Sequence, residues 1–110
     1  MIKIVLLVTT ALYPHKVASE VAKKNIEMAT KYPPAPDIGE TVIMGARATK
    51  KGITVLAVYN VKKGKMEEAL IRLTMQYQEF VASIEGFKWH VKTFMTVAEA
   101  YKAVGMEAPG

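Results

Sequence analysis

Two segments, IKIVLLVTTAL at residues 2–12 and ITVLAVYNV at residues 53–61, are apolar on both faces of the strands they would form. Side chains alternate across a strand with period two. The first segment therefore sets Ile2, Ile4, Leu6 and Val8 on one side and Val5 and Leu7 on the other. The second repeats the arrangement, with Val55, Ala57 and Tyr59 against Leu56 and Val58. An antiparallel sheet with one face in water should instead alternate apolar with polar residues. Any fold built from these strands must cover both of their faces.

Helical segments supply the first cover. From His15 to Tyr32 the apolar residues Val17, Ala18, Val21, Ala22, Met28, Ala29 and Tyr32 recur at helical spacing, and Pro14 suits the first turn. The segment PPAPDIG at residues 33–39 stops this helix, because proline cannot continue it and disfavours helical backbone just before itself. A second stripe, through Met66, Leu70, Leu73, Tyr77, Phe80 and Ile84, runs at spacings of three and four and ends before Gly86. Between the helices, strands over 40–47 and 53–61 are joined by ATKKG, whose Gly52 can take the positive φ of a short hairpin loop. A fourth strand over 87–95 precedes a short helix, opened by the capping box Thr96-Val97-Ala98-Glu99 and closed by Gly105.

This order, β-α-β-β-α-β-α, is two split βαβ crossovers around a hairpin, the ferredoxin-like pattern of an α+β protein with an added short C-terminal helix. Right-handed crossovers give the strand order 4-1-3-2 with all neighbours antiparallel, and they place both long helices on one face of the sheet. With no chain left for the other face, the expected cover is a second copy. On this element order and the two-faced strands, residues 2–105 resemble the dimeric α+β barrel superfamily, in which two ferredoxin-like subunits pack sheet to sheet. The resemblance implies a homodimer. It implies no single activity, since that superfamily includes small monooxygenases, haem-degrading enzymes, lactone isomerases and stress-response proteins.

Composition narrows the chemistry. The 110 residues read as a single domain over 1–110, without a linker, repeat or low-complexity tract. No cysteine is present, which excludes disulfides, thiolate catalysis and Cys-based zinc or iron–sulfur sites. The net charge of +5 invites a nucleic-acid reading. Lys50 and Lys51 at the hairpin, however, stand roughly 35 Å from Lys62, Lys63 and Lys65, at about 3.3 Å per strand residue. The stacking aromatics of an RNA-recognition sheet are also unmatched, since VLAVYNV offers only Tyr59. No apolar segment approaches the ~20 residues of a membrane span, and the apolar start lacks a signal-peptide cleavage pattern, so a cytoplasmic location is expected. Few Asn and Gln beside abundant Lys and Glu point to a thermophilic source, against the weight of seven Met.

The candidate site begins in GFKWHVKTF, residues 86–94. As a strand it sends Phe87, Trp89 and Val91 one way and Lys88, His90 and Lys92 the other. A register that closes the first and fourth strands near Leu12 and Phe87 puts Thr9 beside His90, on a face shared with Lys3, Val5 and Leu7. There His90, flanked by lysines, suits a proton acceptor or anion binder for a small acidic or phenolic ligand. The plainer reading is that charge along an edge strand only discourages edge-to-edge pairing. His15 and Lys16 follow Pro14 in a first helical turn with Tyr13 close by, a second anion position that could approach the same region. Against it stands the commonness of a surface histidine in a first turn. The ligand-binding candidates are thus His90, Thr9, His15 and Tyr13, with His90 the one catalytic candidate.

Two histidines 75 positions apart, without HxxxH or HExxH spacing, supply no metal site, and nothing in the sequence indicates a cofactor. Gly64-Lys65 lacks the rest of a phosphate-loop pattern and reads as a helix start. The expected function is binding or transforming a small organic ligand. A non-catalytic self-association or regulatory module is the alternative, and nucleic-acid binding through dispersed lysines is a second.

Overall fold

The computed structural model describes residues 4–109, so the faces expected for Ile2 and Lys3 fall outside the described residues. Those residues form β1 (Ile4–Tyr13), a 3-10 turn (His15–Val17), α1 (Ala18–Lys31), β2 (Gly39–Ala48), β3 (Ile53–Lys62), α2 (Met66–Ser83), β4 (Lys88–Phe94) and α3 (Val97–Ala103). The architecture is α+β. A four-stranded antiparallel sheet runs in the order β2-β3-β1-β4, the expected order read from its other edge.

Both long helices lie on one face. Val17 of the 3-10 turn and Val21 and Met28 of α1 pack with Ala11, Tyr13, Phe80, Ile84 and Phe87. Further along the sheet, Ala69 and Leu73 of α2 pack on Leu7 and Val61. Stacked rings join α2 to β4, with Tyr77 and Trp89 centroids 4.8 Å apart and Phe80 and Phe87 5.0 Å apart. The hairpin is as expected, and its glycine is required by close approach. A Cβ on Gly52 would stand 2.4 Å from the Tyr13 carbonyl oxygen. At α3 the Thr96 hydroxyl accepts from the Glu99 backbone N–H at 3.2 Å, while the Glu99 carboxylate accepts from that hydroxyl rather than reaching back to the backbone.

One register differs from expectation. β1 pairs with β4 through Leu12↔Lys88, Thr10↔His90 and Thr9↔Val91, one residue away from the pairing of Thr9 with His90. A one-residue slip exchanges faces. Leu7, Thr9, Ala11 and Tyr13 therefore face the helices with Trp89 and Val91, while Leu6, Val8, Thr10 and Leu12 share the opposite face with His90. The physical reason is space beneath the helices. The small Ala11 lies opposite Trp89, and Thr9 sits below the Tyr77 hydroxyl, leaving room for the Tyr77–Trp89 stack.

The opposite face carries an apolar patch set among Thr10, Thr54 and Arg47. Leu12, Leu56, Ile43 and Phe94 lie on it with 37%, 43%, 59% and 49% of their surface exposed, beside Leu6, Val8 and Val58. Lys88, His90 and Lys92 border it on the β4 side. β2 is shifted by a bulge between Thr41 and Ile43, and residues 40–48 are exposed, including Met44 on the helix side.

Candidate functional site

Where β2 and β3 run out from under the helices, the chain leaves a cavity of about 630 Å3 between the sheet, α1 and α2. The segment 33–38 crosses its rim after α1, because successive prolines hold an extended path that cannot pack as helix. Its walls are apolar, supplied by Leu7, Met28, Val61, Ala69, Leu73 and Phe80. Its polar residues come from separate elements, with Glu40 and Thr41 on β2, Tyr59 and Asn60 on β3, Arg72, Gln76 and Tyr77 on α2, Asn25 on α1 and Tyr32 just after it. A largely apolar cavity of this size with a few convergent polar groups is the form small-molecule sites take.

Two hydroxyls meet behind its wall, where Tyr77 reaches Thr9, and Tyr59 lines the cavity on the facing strand. The Thr9 hydroxyl, wholly buried, lies 2.9 Å from that of Tyr77. Burial first, then the neighbouring Tyr77, pushes the Tyr59 pKa above the ordinary value of about 10. Desolvation disfavours the phenolate. Tyr59 thus stays a neutral donor or acceptor at any physiological pH.

At the rim, Arg72 donates to the Pro33 carbonyl and its guanidinium lies over the Tyr32 ring, 5.6 Å from the centroid. No carboxylate among the described residues forms an ion pair with it. Glu79 holds the adjoining chain in place. Its carboxylate accepts from Lys31 at 2.9 Å and from the Tyr32 hydroxyl at 3.1 Å, tying the end of α1 to α2 just before the prolines. The Lys31 hydrogen bond is the main cause of the lowered Glu79 pKa and of the raised Lys31 pKa.

The four residues singled out from the sequence do not converge on one pocket. Thr9 lies under α2 against Tyr77, and Tyr13 is buried on the same side, stacked on Phe87 at 5.9 Å. His90 is exposed on the opposite face of the sheet. His15 bonds the Thr49 carbonyl at 2.5 Å, which turns it toward the β2–β3 hairpin and away from β4. Lys50 and Lys51 lie in the hairpin loop, at the other end of β3 from Lys62, Lys63 and Lys65.

Sequence reasoning missed Arg72, Gln76 and Asn25, and it placed Tyr59 and Tyr77 only as strand and core residues. A signal was present. Tyr59 and Tyr77 both sit on helix-to-sheet faces, where a buried hydroxyl needs a partner, so they mark a polar spot in the core. No helix of the described residues is long and apolar enough to cross a membrane. Comparison with known protein families, curated proteins and solved structures gives no match.

Proposed function

We propose that the protein is a ferredoxin-like subunit of a dimeric α+β barrel that binds a small organic ligand in the cavity between its helices and sheet. The observation that carries the ligand reading is the pairing of a largely apolar cavity of about 630 Å3 with Tyr59 and Tyr77 on its wall, the Tyr77 hydroxyl bonded to the buried Thr9. The site is therefore the helix-side cavity rather than the His90 face.

The face opposite the helices, with its apolar patch, supports the homodimer. Three strands of 10 residues and one of 7, about 4.8 Å apart and rising about 3.3 Å per residue, make a face of roughly 600 Å2. That approaches the roughly 800 Å2 that each partner buries in a stable complex. Lys88, His90 and Lys92 along its border match the polar rim such interfaces have. This face is also what favours the second reading, a self-association module without a ligand, but that reading leaves the cavity unexplained.

Native mass spectrometry of the protein purified from cells separates the readings. A dimer with added mass is expected, the mass identifying a retained small molecule. A bare dimer that is not stabilised by any aromatic acid or phenol would favour the self-association module. A bare monomer would overturn the assembly.

A further inference from the structure

We infer that the ligand is bifunctional, an aromatic or similarly flat apolar body with a hydroxyl or carbonyl at one end, held by Tyr59 and Tyr77, and an anionic group at the other, held by Arg72. The inference rests on the ligand-binding reading above and specifies its chemistry.

Each part of the ligand follows from a part of the cavity. The walls offer Leu7, Val61, Leu73 and Phe80, which reward an apolar body and leave a polar one unsatisfied. Beside these walls the cavity offers the Tyr59 and Tyr77 hydroxyls. Tyrosine and threonine hydroxyls both donate and accept, so they suit a neutral oxygen such as a phenol or ketone. With its proton retained, Tyr59 carries no charge to repel such a group.

The outer end is cationic. A guanidinium has five N–H donors in a planar fork. The Pro33 carbonyl engages Arg72 through one nitrogen and the Tyr32 ring supports the plane, which fixes the head group while leaving donors free. A fixed guanidinium without an acidic partner is what a carboxylate engages through two hydrogen bonds. On α2, Glu68, one turn before Arg72, pairs with Lys65 at 3.4 Å, and Glu79 is occupied by Lys31 and Tyr32, while Glu40 on β2 is the one carboxylate residue of the lining. Arg72 and Tyr77 are five residues apart on α2, about 7.5 Å along its axis at 1.5 Å per residue.

Three probes test this directly: 6-hydroxy-2-naphthoate, 2-naphthoate without the hydroxyl, and 2-naphthol without the carboxylate. Binding is read from the fluorescence of Trp89, the chain's single tryptophan, which stacks on the cavity residue Tyr77. The hydroxynaphthoate is expected to bind tightest. Losing the carboxylate should weaken binding on the order of ten- to a hundredfold, and losing the hydroxyl about three- to tenfold. In Arg72→Gln the advantage of naphthoate-type probes over 2-naphthol should vanish, and in Tyr59→Phe that of the hydroxylated probe should shrink. The comparison between probes needs no variant, so a misfolded variant does not blunt it. Saturable binding of all three with equal affinity would overturn the bifunctional ligand and leave the cavity reading standing. Failure of all three to bind would overturn both.

Discussion

The Thr9 and Tyr77 hydroxyls, 68 residues apart in sequence, lie 2.9 Å from each other where α2 crosses β1, and Thr9 is wholly buried. This contact joins the sheet to the helix that brings Arg72, Leu73 and Tyr77 to the cavity. It should behave as a coupled pair. Thr9→Val or Tyr77→Phe alone leaves a hydroxyl without its partner and is expected to cost about 1–3 kcal/mol. The double variant should cost less than the sum of the two, with a coupling of at least about 0.5 kcal/mol in urea unfolding. Additive losses would show that the two groups do not depend on each other.

Leu73 tests the helix face itself. It is 8% exposed, packs with Leu7 and Val61, and also forms part of the cavity wall. Leu73→Ala should cost about 2–5 kcal/mol, the usual range for large-to-small changes in a core. A loss below about 1 kcal/mol would place the α2 stripe away from the sheet.

Tyr59 makes alkaline stability a probe of the cavity wall. Its folded-state pKa is raised above the unfolded value of about 10, chiefly by burial. The unfolded chain then releases this proton at lower pH than the folded one. The stabilising difference is complete below pH 10 and declines as pH rises above it toward the folded value. Urea midpoints of the native protein should fall above pH 10, and those of Tyr59→Phe should fall less steeply. Parallel pH profiles would mean that Tyr59 ionises freely and is not buried as described.

Much of the fold was legible because its signals were local. The stripe from Met66 to Ile84 has one period and one terminator, and Gly52 marked a hairpin that the Tyr13 carbonyl leaves no room to build with a side chain. Strand order followed from crossover handedness alone. The β1–β4 register was not legible. Both faces of β1 are apolar, so hydrophobic pattern cannot choose between Leu6 and Leu7 as the buried row, and the choice falls to how Thr9 and Ala11 accommodate Tyr77 and Trp89. The cavity was hidden for a related reason. Arg72 and Tyr59 are ordinary in sequence, and only the path of 33–38 over the sheet brings them to one space.

Leu56 tests the assembly. It lies on β3 opposite Thr10 of β1 and Gly45 of β2, in the middle of the face without helices, and 43% of its surface is exposed. If a second copy covers this face, Leu56→Lys buries an unpaired charge there and removes an apolar contact, at a combined cost of about 3 kcal/mol or more. That is more than a hundredfold in the dimer dissociation constant, so sedimentation at low micromolar concentration should shift from dimer to monomer. The fold itself should survive, because Leu56 contributes nothing to the helix-side core. Ile26→Lys, on α1 at a position 74% exposed, gives the control and should leave the dimer intact. A Leu56→Lys protein that dimerises as well as the native one would place the partner elsewhere. The exposed Val97, Val104 and Met106 of the C-terminal region would then be the next surface to substitute.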